Sequence, residues 1–436
     1  MSTESYWATK ADEVMDALLT RIPENKIRPR LEPTRRAVQL LGDPQRNYRV
    51  IHITGTNGKT STTRIIERLL REQGLRTGRF TSPHLVNFNE RARLNGVIVD
   101  DATLVHQFER IEAARQGVSL TYFEFTTLAV MALFAAQELD VWVLEVGLGG
   151  RLDAVNIVDA DCSIVTSVDI DHTDWLGDTR EKIGFEKAHI YRSGRPAICS
   201  DPSPPQSLLQ YAQDLGADLW LFGRDFNYSG DRQQWAFAGR HQRRNALAYP
   251  ALRGANQLLN ASAALAALES LRDRLAVPQQ AVRQGLLQAS LPGRFQILPG
   301  QPTVILDVAH NPHAAAVLEK NLGNMGFHPY TYAVFGMLAD KDIEGVVRHM
   351  VGRIDHWFCG GLPGARGVSA EALEARVRQC VQSYDPDGGK NIQVSGFVNV
   401  EKAYQAAVGK ANPDDRNVVF GSFLTVAEAL VAIGRA

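Results

Sequence analysis

The segment Thr54-Gly55-Thr56-Asn57-Gly58-Lys59-Thr60-Ser61 combines the residue types that hold a polyphosphate. Glycines let backbone N–H groups turn toward an anion, and a following helix N-terminus adds positive potential. A lysine there reaches terminal phosphates. Thr60 supplies a hydroxyl for a phosphate-bound Mg²⁺. The match to GxxxxGK[ST] is incomplete, because Ile53 occupies the first glycine position. The plainer reading is a glycine-rich turn capping a helix, but the strand before it and the lysine and helix after it favour phosphate. Glu145 ends the apolar run that starts at Val141 and is followed by Gly147-Leu-Gly-Gly150-Arg151. An acid at a strand end beside a phosphate loop is where a Walker-B-type carboxylate holds Mg²⁺. Ser82, in Thr81-Ser82-Pro83-His84, also ends a strand-like run, although Ser-Pro alone is only a turn. Asp169-Ile-Asp171-His172 offers oxygen and imidazole to a second divalent ion, and equally suits a solvated turn. Composition alone gives Lys187, on a later helical stretch, no role.

The elements that must position these groups read as α/β. Val50–Ile53, Val141–Leu144, Ser163–Thr166 and Ala197–Cys199 are short apolar strands, and Thr60–Gln73 is a helix between the first two. Strands alternating with helices imply βαβ units and a mainly parallel sheet, whose ligands sit at the strands' carboxyl ends. The stretch 219–238 alternates polar and aromatic residues and suggests a small antiparallel excursion. Two Ala/Leu-rich helices follow, near 256–271 and 278–288. Leu291-Pro292-Gly293-Arg294 then punctuates the chain, after which strands restart at Val304–Leu306, Tyr332–Phe335, His356–Cys359 and Val418–Phe420. The expected fold class is α/β: a P-loop-containing ATPase domain with a mainly parallel sheet over residues 1–291, and a smaller Rossmann-like C-terminal α/β domain over 297–436. Residues 292–296 form the linker.

Composition narrows the function classes. With 436 residues, 44% hydrophobic and 22% charged, the chain can bury a sizeable core. Lys and Arg total 47 against 48 Asp and Glu, which argues against a broad electrostatic footprint for nucleic acid while leaving room for a local basic groove. Four scattered cysteines suit free thiols in a reducing compartment. No signal-peptide pattern opens the chain, and no apolar run approaches the ~18 residues of a membrane span. A cytoplasmic location without membrane partners is the expectation.

Taken in order, the motifs resemble the Mur ligase superfamily, and most closely its folate branch, folylpolyglutamate synthase/dihydrofolate synthase. They are Gly55–Thr60, Thr81–His84, Asn89-Glu-Arg91 with Asn95-Gly96, Tyr122–Phe125, and Glu145-Val-Gly-Leu-Gly-Gly-Arg151-Leu-Asp-Ala154. Asp171-His172, Glu186-Lys187-Ala188, Pro292-Gly-Arg294, Asp307-Val-Ala-His-Asn-Pro312 and Gly421-Ser-Phe423 follow. Each is weak alone, whereas the ordered set is specific and spans nearly the whole chain. The resemblance implies an ATP-dependent amide ligase: ATP phosphorylates a substrate carboxylate, and the amino group of L-glutamate attacks the acyl phosphate. The acceptor is dihydropteroate or a reduced folate.

By the same resemblance Asn57, Gly58, Lys59 and Thr60 wrap the ATP phosphates, with Asn256, Arg294 and Asp307 as further ATP contacts. Ser82 and Glu145 bind one Mg²⁺ and His172 a second, and Lys187 aligns with a lysine carried as a carbamate that ligates metal. His310 meets the acyl phosphate or glutamate. Thr121, Tyr122, Phe123 and Glu124, with Leu152, Asp153 and Ala154, face the pterin. Arg28 and Arg30, in the charged segment Lys26-Ile-Arg-Pro-Arg30, meet pterin, glutamate carboxylates or only solvent. Closure of the second domain excludes water from the acyl phosphate. A monomer, and K⁺ dependence, are further expectations of the resemblance.

Two rivals bear weighing. A peptidoglycan ligase of the same superfamily carries a UDP-binding domain ahead of its ATPase domain, whereas 54 residues precede Gly55. A P-loop GTPase switch needs an NKxD guanine reader after the loop, and here Asn25-Lys26 lies before it and continues Ile-Arg. A non-enzymatic nucleotide-binding regulator has little use for Glu145, His172 and Lys187 together.

Overall fold

The computed structural model describes residues 48–231, 233–254, 256–386 and 389–435, together with residues 10, 13, 17 and 31–35. The segment 26–30, with Arg28 and Arg30, lies outside the described residues. The chain forms two compact units. One comprises the chain up to His84, Phe88–Ala251 and Leu258–Ala289, and the other Leu85–Asn87, Leu252–Gln257 and 290 onward.

The first unit is built on eight strands: β1 Arg49–Thr54, β2 Thr77–Phe80, β3 Ala92–Leu94, β4 Val97–Ile98, β5 Val141–Glu145, β6 Cys162–Val165, β7 Pro196–Cys199 and β8 Asp218–Leu221. Their order is β4-β3-β2-β5-β1-β6-β7-β8. All neighbours from β2 to β8 are parallel, while β3 and β4 add an antiparallel edge through the Asn95-Gly96 turn. Strands covered on both faces read as continuous apolar runs. That is why Val50–Ile53 and Val141–Leu144 are fully buried. Register Ile53↔Glu145 and Thr54↔Val165 brings the carboxyl ends of β1, β5 and β6 level.

The helix Tyr122–Ala135 is apolar around almost its whole circumference, so it is buried rather than amphipathic. A reciprocal capping box starts it. Glu124 N–H donates to Thr121 Oγ1 at 3.2 Å, and Thr121 N–H donates to Glu124 Oε2 at 2.6 Å. The antiparallel excursion expected over 219–238 is shifted. Asp218–Leu221 instead closes a βαβ crossover beside β7, and the antiparallel sheet is β9 Asn227–Gly230, β10 Trp235–Ala238 and β11 Arg243–Leu247. The cause is the preceding helix Gln206–Leu215, which returns the chain to the parallel edge where Leu-Trp-Leu is covered.

The second unit holds β12 Gln296–Leu298, β13 Thr303–Leu306, β14 Thr331–Phe335, β15 His356–Gly360, β16 Gln393–Phe397 and β17 Arg416–Phe420, in the order β12-β13-β17-β14-β15-β16. Only the β12–β13 pair is antiparallel. Ile305, Ala333, Phe335, Trp357, Val418 and Phe420 are in its core. All four cysteines are buried free thiols. Among the described residues no helix is long and apolar enough to cross a membrane.

Candidate active site

The turn after β1 is stitched to the chain leaving β6. Thr56 N–H donates to Ser167 O at 2.8 Å, and Thr166 Oγ1 donates to Asn57 O at 2.6 Å. Ser167 Oγ receives Asn57 N–H at 3.1 Å, while Thr56 Oγ1 and the backbone of Asp169 exchange bonds of 3.0 and 2.9 Å. Gly55 (φ 151°) and Gly58 (φ 86°) take up the bend. A Cβ at Gly55 would sit 1.9 Å from Thr166 Oγ1, and one at Gly58 2.5 Å from Asn260 Oδ1. The loop is thus moulded against β6 and against the helix Gln257–Ser270, where Asn260 is buried.

Lys59 Nζ lies over this loop, donating to Gly55 O at 2.8 Å and Thr56 O at 3.3 Å. Thr60 Oγ1 donates to Glu145 Oε1 at 3.0 Å, joining the helix start to the end of β5. Glu145 is buried there. Ser82 is also buried, and the register Phe80↔Leu144 carries it to the same end of the sheet. His172, left-handed at φ 53°, starts the short helix Thr173–Leu176, and its amide donates to Asp171 Oδ1 at 2.8 Å.

Lys187, on the helix Arg180–Ala188, is only 4% exposed. Burial, with repulsion from Lys59, pulls its amine down to about 7 against the opposing pull of Asp171 and Asp153. The glycine turn after Glu145 lies on that same helix. A Cβ at Gly150 would come within 2.8 Å of Glu186 O, Arg151 N–H donates to Glu186 O at 2.9 Å, and Arg151 pairs with the Glu186 carboxylate at 2.9 Å. Phe123 lies so close over Gly147 that a Cβ there would be 2.5 Å from its Cζ. Burial pushes the Asp153 carboxyl up to about 6, although the amides of Leu148 and Val155 each donate to it at 2.9 Å.

Of the substrate-facing residues read from sequence, Thr121 and Glu124 form the capping box through Thr121 Oγ1 and Glu124 Oε2, while Glu124 Oε1 is buried with no hydrogen-bond partner among the described residues. Tyr122 is buried, whereas Phe123 is half-buried. Leu152 is half-buried and Ala154 buried, beside Asp153 in the same turn. Thr166, Ser167 and Asn260 were missed, and the hydrogen bonds of the first two to the loop and the close fit of Gly55 and Gly58 reveal them.

In the second unit Asp307 directly follows β13 and accepts Phe295 N–H and Ala309 N–H, each at 2.8 Å. Burial raises its carboxyl, and Arg294 opposes the rise. Arg294 lies over the Phe423 ring at 5.0 Å. His310 turns Nδ1 to Val308 O at 2.9 Å, leaving Nε2 as the basic edge. Asn256 belongs to the 252–257 segment of this unit, not to the phosphate loop's own unit.

A buried carboxylate bonded to a phosphate-loop threonine suits Mg²⁺, which takes one or two carboxylates and draws its other oxygens from phosphates and water. Accordingly, no cluster of three or more His, Cys, Asp or Glu among the described residues could hold an ion by itself.

Comparison with known proteins decides the family. Residues 53–268 match the Mur ligase middle domain, and residues 293–423 the Mur ligase, glutamate ligase domain. The dihydrofolate synthase/folylpolyglutamate synthase of Escherichia coli is 43% identical over 384 residues, covering 88% of this chain and 86% of that protein. The chain belongs to the dihydrofolate synthase/folylpolyglutamate synthase family. As a Mur-type ligase of that family it is an ATP-dependent enzyme. The structure of Escherichia coli FolC in complex with DHPP and ADP superposes with a TM-score of 0.90 at 40% identity, covering 97% of each chain. A bifunctional folylpolyglutamate synthase/dihydrofolate synthase with Mn, AMPPNP and L-glutamate bound gives 0.86 at 40% identity, covering 96% of this chain and 98% of that one. Both structures of this ligase family thus hold an adenine nucleotide, and the second a divalent ion.

Proposed function

We propose that the enzyme adds L-glutamate to dihydropteroate, and to reduced folates and their polyglutamates, through an acyl phosphate, releasing ADP and phosphate. The observation that carries this is the Thr60–Glu145 bond at the phosphate loop, in a chain matched nearly end to end by relatives named for both activities. A carboxylate is a poor electrophile until one oxygen becomes a phosphate leaving group. Phosphoryl transfer to it is mainly a matter of positioning and of offsetting charge. Asn57 to Thr60 hold the ATP phosphates, with Lys59 leaving the loop carbonyls for the terminal phosphate. Asn260, packed on Gly58, lines the loop, and Asn256 is a further ATP contact. Arg294 and Asp307 contact the nucleotide, and His310 Nε2 faces the acyl phosphate or glutamate.

Glu145, Ser82 and His172 are the Mg²⁺ ligands of two sites. The ions, when bound, would offset negative charge on the transferred group. Lys187 completes this set as a carbamate. A buried amine at about 7 is about half neutral near pH 7, far more than an ordinary lysine, and therefore nucleophilic toward CO₂, and the product carries the negative charge that a metal site needs. Phe123, Leu152, Asp153 and Ala154 receive the pterin. We further propose a monomer working in the reducing cytoplasm, in keeping with its four free thiols.

The test is incorporation of labelled glutamate with ATP and Mg²⁺, offering dihydropteroate and tetrahydrofolate separately. Product from both establishes the bifunctional enzyme, and product from one narrows it. Product from neither, with ATP still bound, overturns the folate assignment.

A further inference from the structure

Arg91 is buried between two aromatic rings, its guanidinium carbon 5.1 Å from the centre of Phe88 and 5.4 Å from that of Tyr122. Its Nε donates to His84 Nδ1 at 3.0 Å. A guanidinium has donors only, so Nδ1 must present its lone pair and the ring proton must reside on Nε2. Phe88 stands edge-on to the imidazole at 5.9 Å and is itself held by Phe108 and Tyr122 at 5.7 and 6.3 Å. The ring is therefore fixed at one nitrogen and along one side. Its remaining polar edge is Nε2–H, for which no protein acceptor exists among the described residues, and the side chain is part-exposed.

The position of this donor matters. His84 lies two residues beyond Ser82, and Arg91 touches Tyr122, the neighbour of Phe123. The imidazole is bracketed by a proposed metal ligand and a proposed substrate segment. We infer that His84 is a substrate-binding residue that gives its Nε2–H to a carboxylate oxygen of the pteroate-type acceptor, and that Arg91 is a positioning residue that fixes the tautomer. This rests on the ligase reading above. The attacking carboxylate has to stay anionic to take a phosphoryl group. A neutral N–H orients it without surrendering a proton, whereas an imidazolium would compete for that oxygen's lone pair by proton transfer.

Two variants separate the ring's two nitrogens. His84→Asn keeps an acceptor near Nδ1 and loses the outer donor, while His84→Gln keeps a donor near Nε2. The expected result is a fall of about 10- to 100-fold in kcat/KM for dihydropteroate in His84→Asn, with KM for ATP and thermal stability unchanged, and a smaller loss in His84→Gln. Imidazole ¹⁵N shifts of the wild-type enzyme should give a protonated Nε2 and a bare Nδ1, with Nε2 moving when dihydropteroate is added. A proton on Nδ1, an Nε2 signal indifferent to dihydropteroate, or wild-type kcat/KM in His84→Asn would overturn the assignment. The spectra decide it even where the variants fold poorly. Wild-type enzyme that ligates no glutamate is the separate failure of the activity itself.

Discussion

Thr60 and Glu145 meet at 3.0 Å because a helix start and a strand end are brought level by the register of β1 on β5. A hydroxyl and a buried carboxylate so placed have little to do for stability alone, since Glu145 carries a burial cost that an apolar residue would avoid. Glu145→Gln keeps the shape and removes the charge. Mg²⁺-dependent turnover should then fall by about 100-fold or more with the fold intact by circular dichroism, and a near-wild-type rate would remove Glu145 from the metal site. Gly58 is a sharper steric test. At φ 86°, with Asn260 Oδ1 2.5 Å from any added Cβ, Gly58→Ala has to displace either the Asn260 side chain or the loop. ATP affinity should drop at least about tenfold while unfolding shifts by only about 1–2 kcal/mol, as titration calorimetry and urea melts would report. Lys187→Ala should abolish ligation and recover part of it on addition of a small carboxylate. A variant that stays active unaided would leave the buried amine without a catalytic part.

At the scale of the element, local signals decide how much the sequence discloses. Thr121-x-x-Glu124 before an apolar run is a helix-start signature, and the structure uses it as one. The resemblance instead directed attention to those residues as substrate contacts. Thr121→Ala should therefore cost about 1 kcal/mol of stability and leave KM for dihydropteroate nearly unchanged, whereas Phe123→Ala should raise that KM with a smaller stability effect. Thermal melts and initial rates on the same preparations separate the two. The buried strands were legible because parallel strands covered on both faces leave unbroken Val/Ile/Leu runs, as at Val50–Ile53 and Val141–Leu144. Edge strands were not. β3 and β4 together span only Ala92–Ile98, with Val97 and Ile98 exposed, and β16 carries Gly396 and polar residues. Site residues followed the same rule. Lys59 and Glu145 announce themselves by type and neighbours, but Asn260 and Thr166 matter because they sit where a glycine lacks a Cβ and, for Thr166, because its hydroxyl bonds the loop carbonyl of Asn57, which no linear pattern records.

For the whole molecule, the formal net charge of -1 at pH 7 turns increasingly positive on acidification as histidines and carboxylates take up protons, and individual buried groups add their own pH dependence to that repulsion. His356 in β15 accepts a hydrogen bond at Nδ1 from Lys410 Nζ at 2.9 Å, bonds Ser395 Oγ through Nε2 at 2.9 Å, and stacks on Phe358 at 4.1 Å. Burial, reinforced by the Lys410 charge, pulls it down to about 4, as burial does to His84 beside Arg91. Both imidazoles stay neutral in the folded protein, while the unfolded chain takes up protons near the ordinary 6.5. The unfolded state therefore binds more protons between these values, and stability present above pH 6.5 is lost as the pH falls toward 4. Asp153, raised to about 6, works in the opposite sense, because its folded form is protonated first and its burial becomes cheaper below pH 6. Asp307, raised by burial, acts in the same sense as Asp153, and His189, lowered by burial, in the same sense as the other two histidines, so the His356 contribution is isolated by comparing a variant with the wild type. Lys410 is exposed and screened by solvent, so the His356 share between pH 7 and pH 5 should be about 1–2 kcal/mol. His356→Gln preserves an N–H for Ser395 and cannot take up a proton. Urea melts at pH 7 and pH 5 should show the wild type losing stability by that margin more than the variant, and equal losses would show that His356 does not set the acid limb.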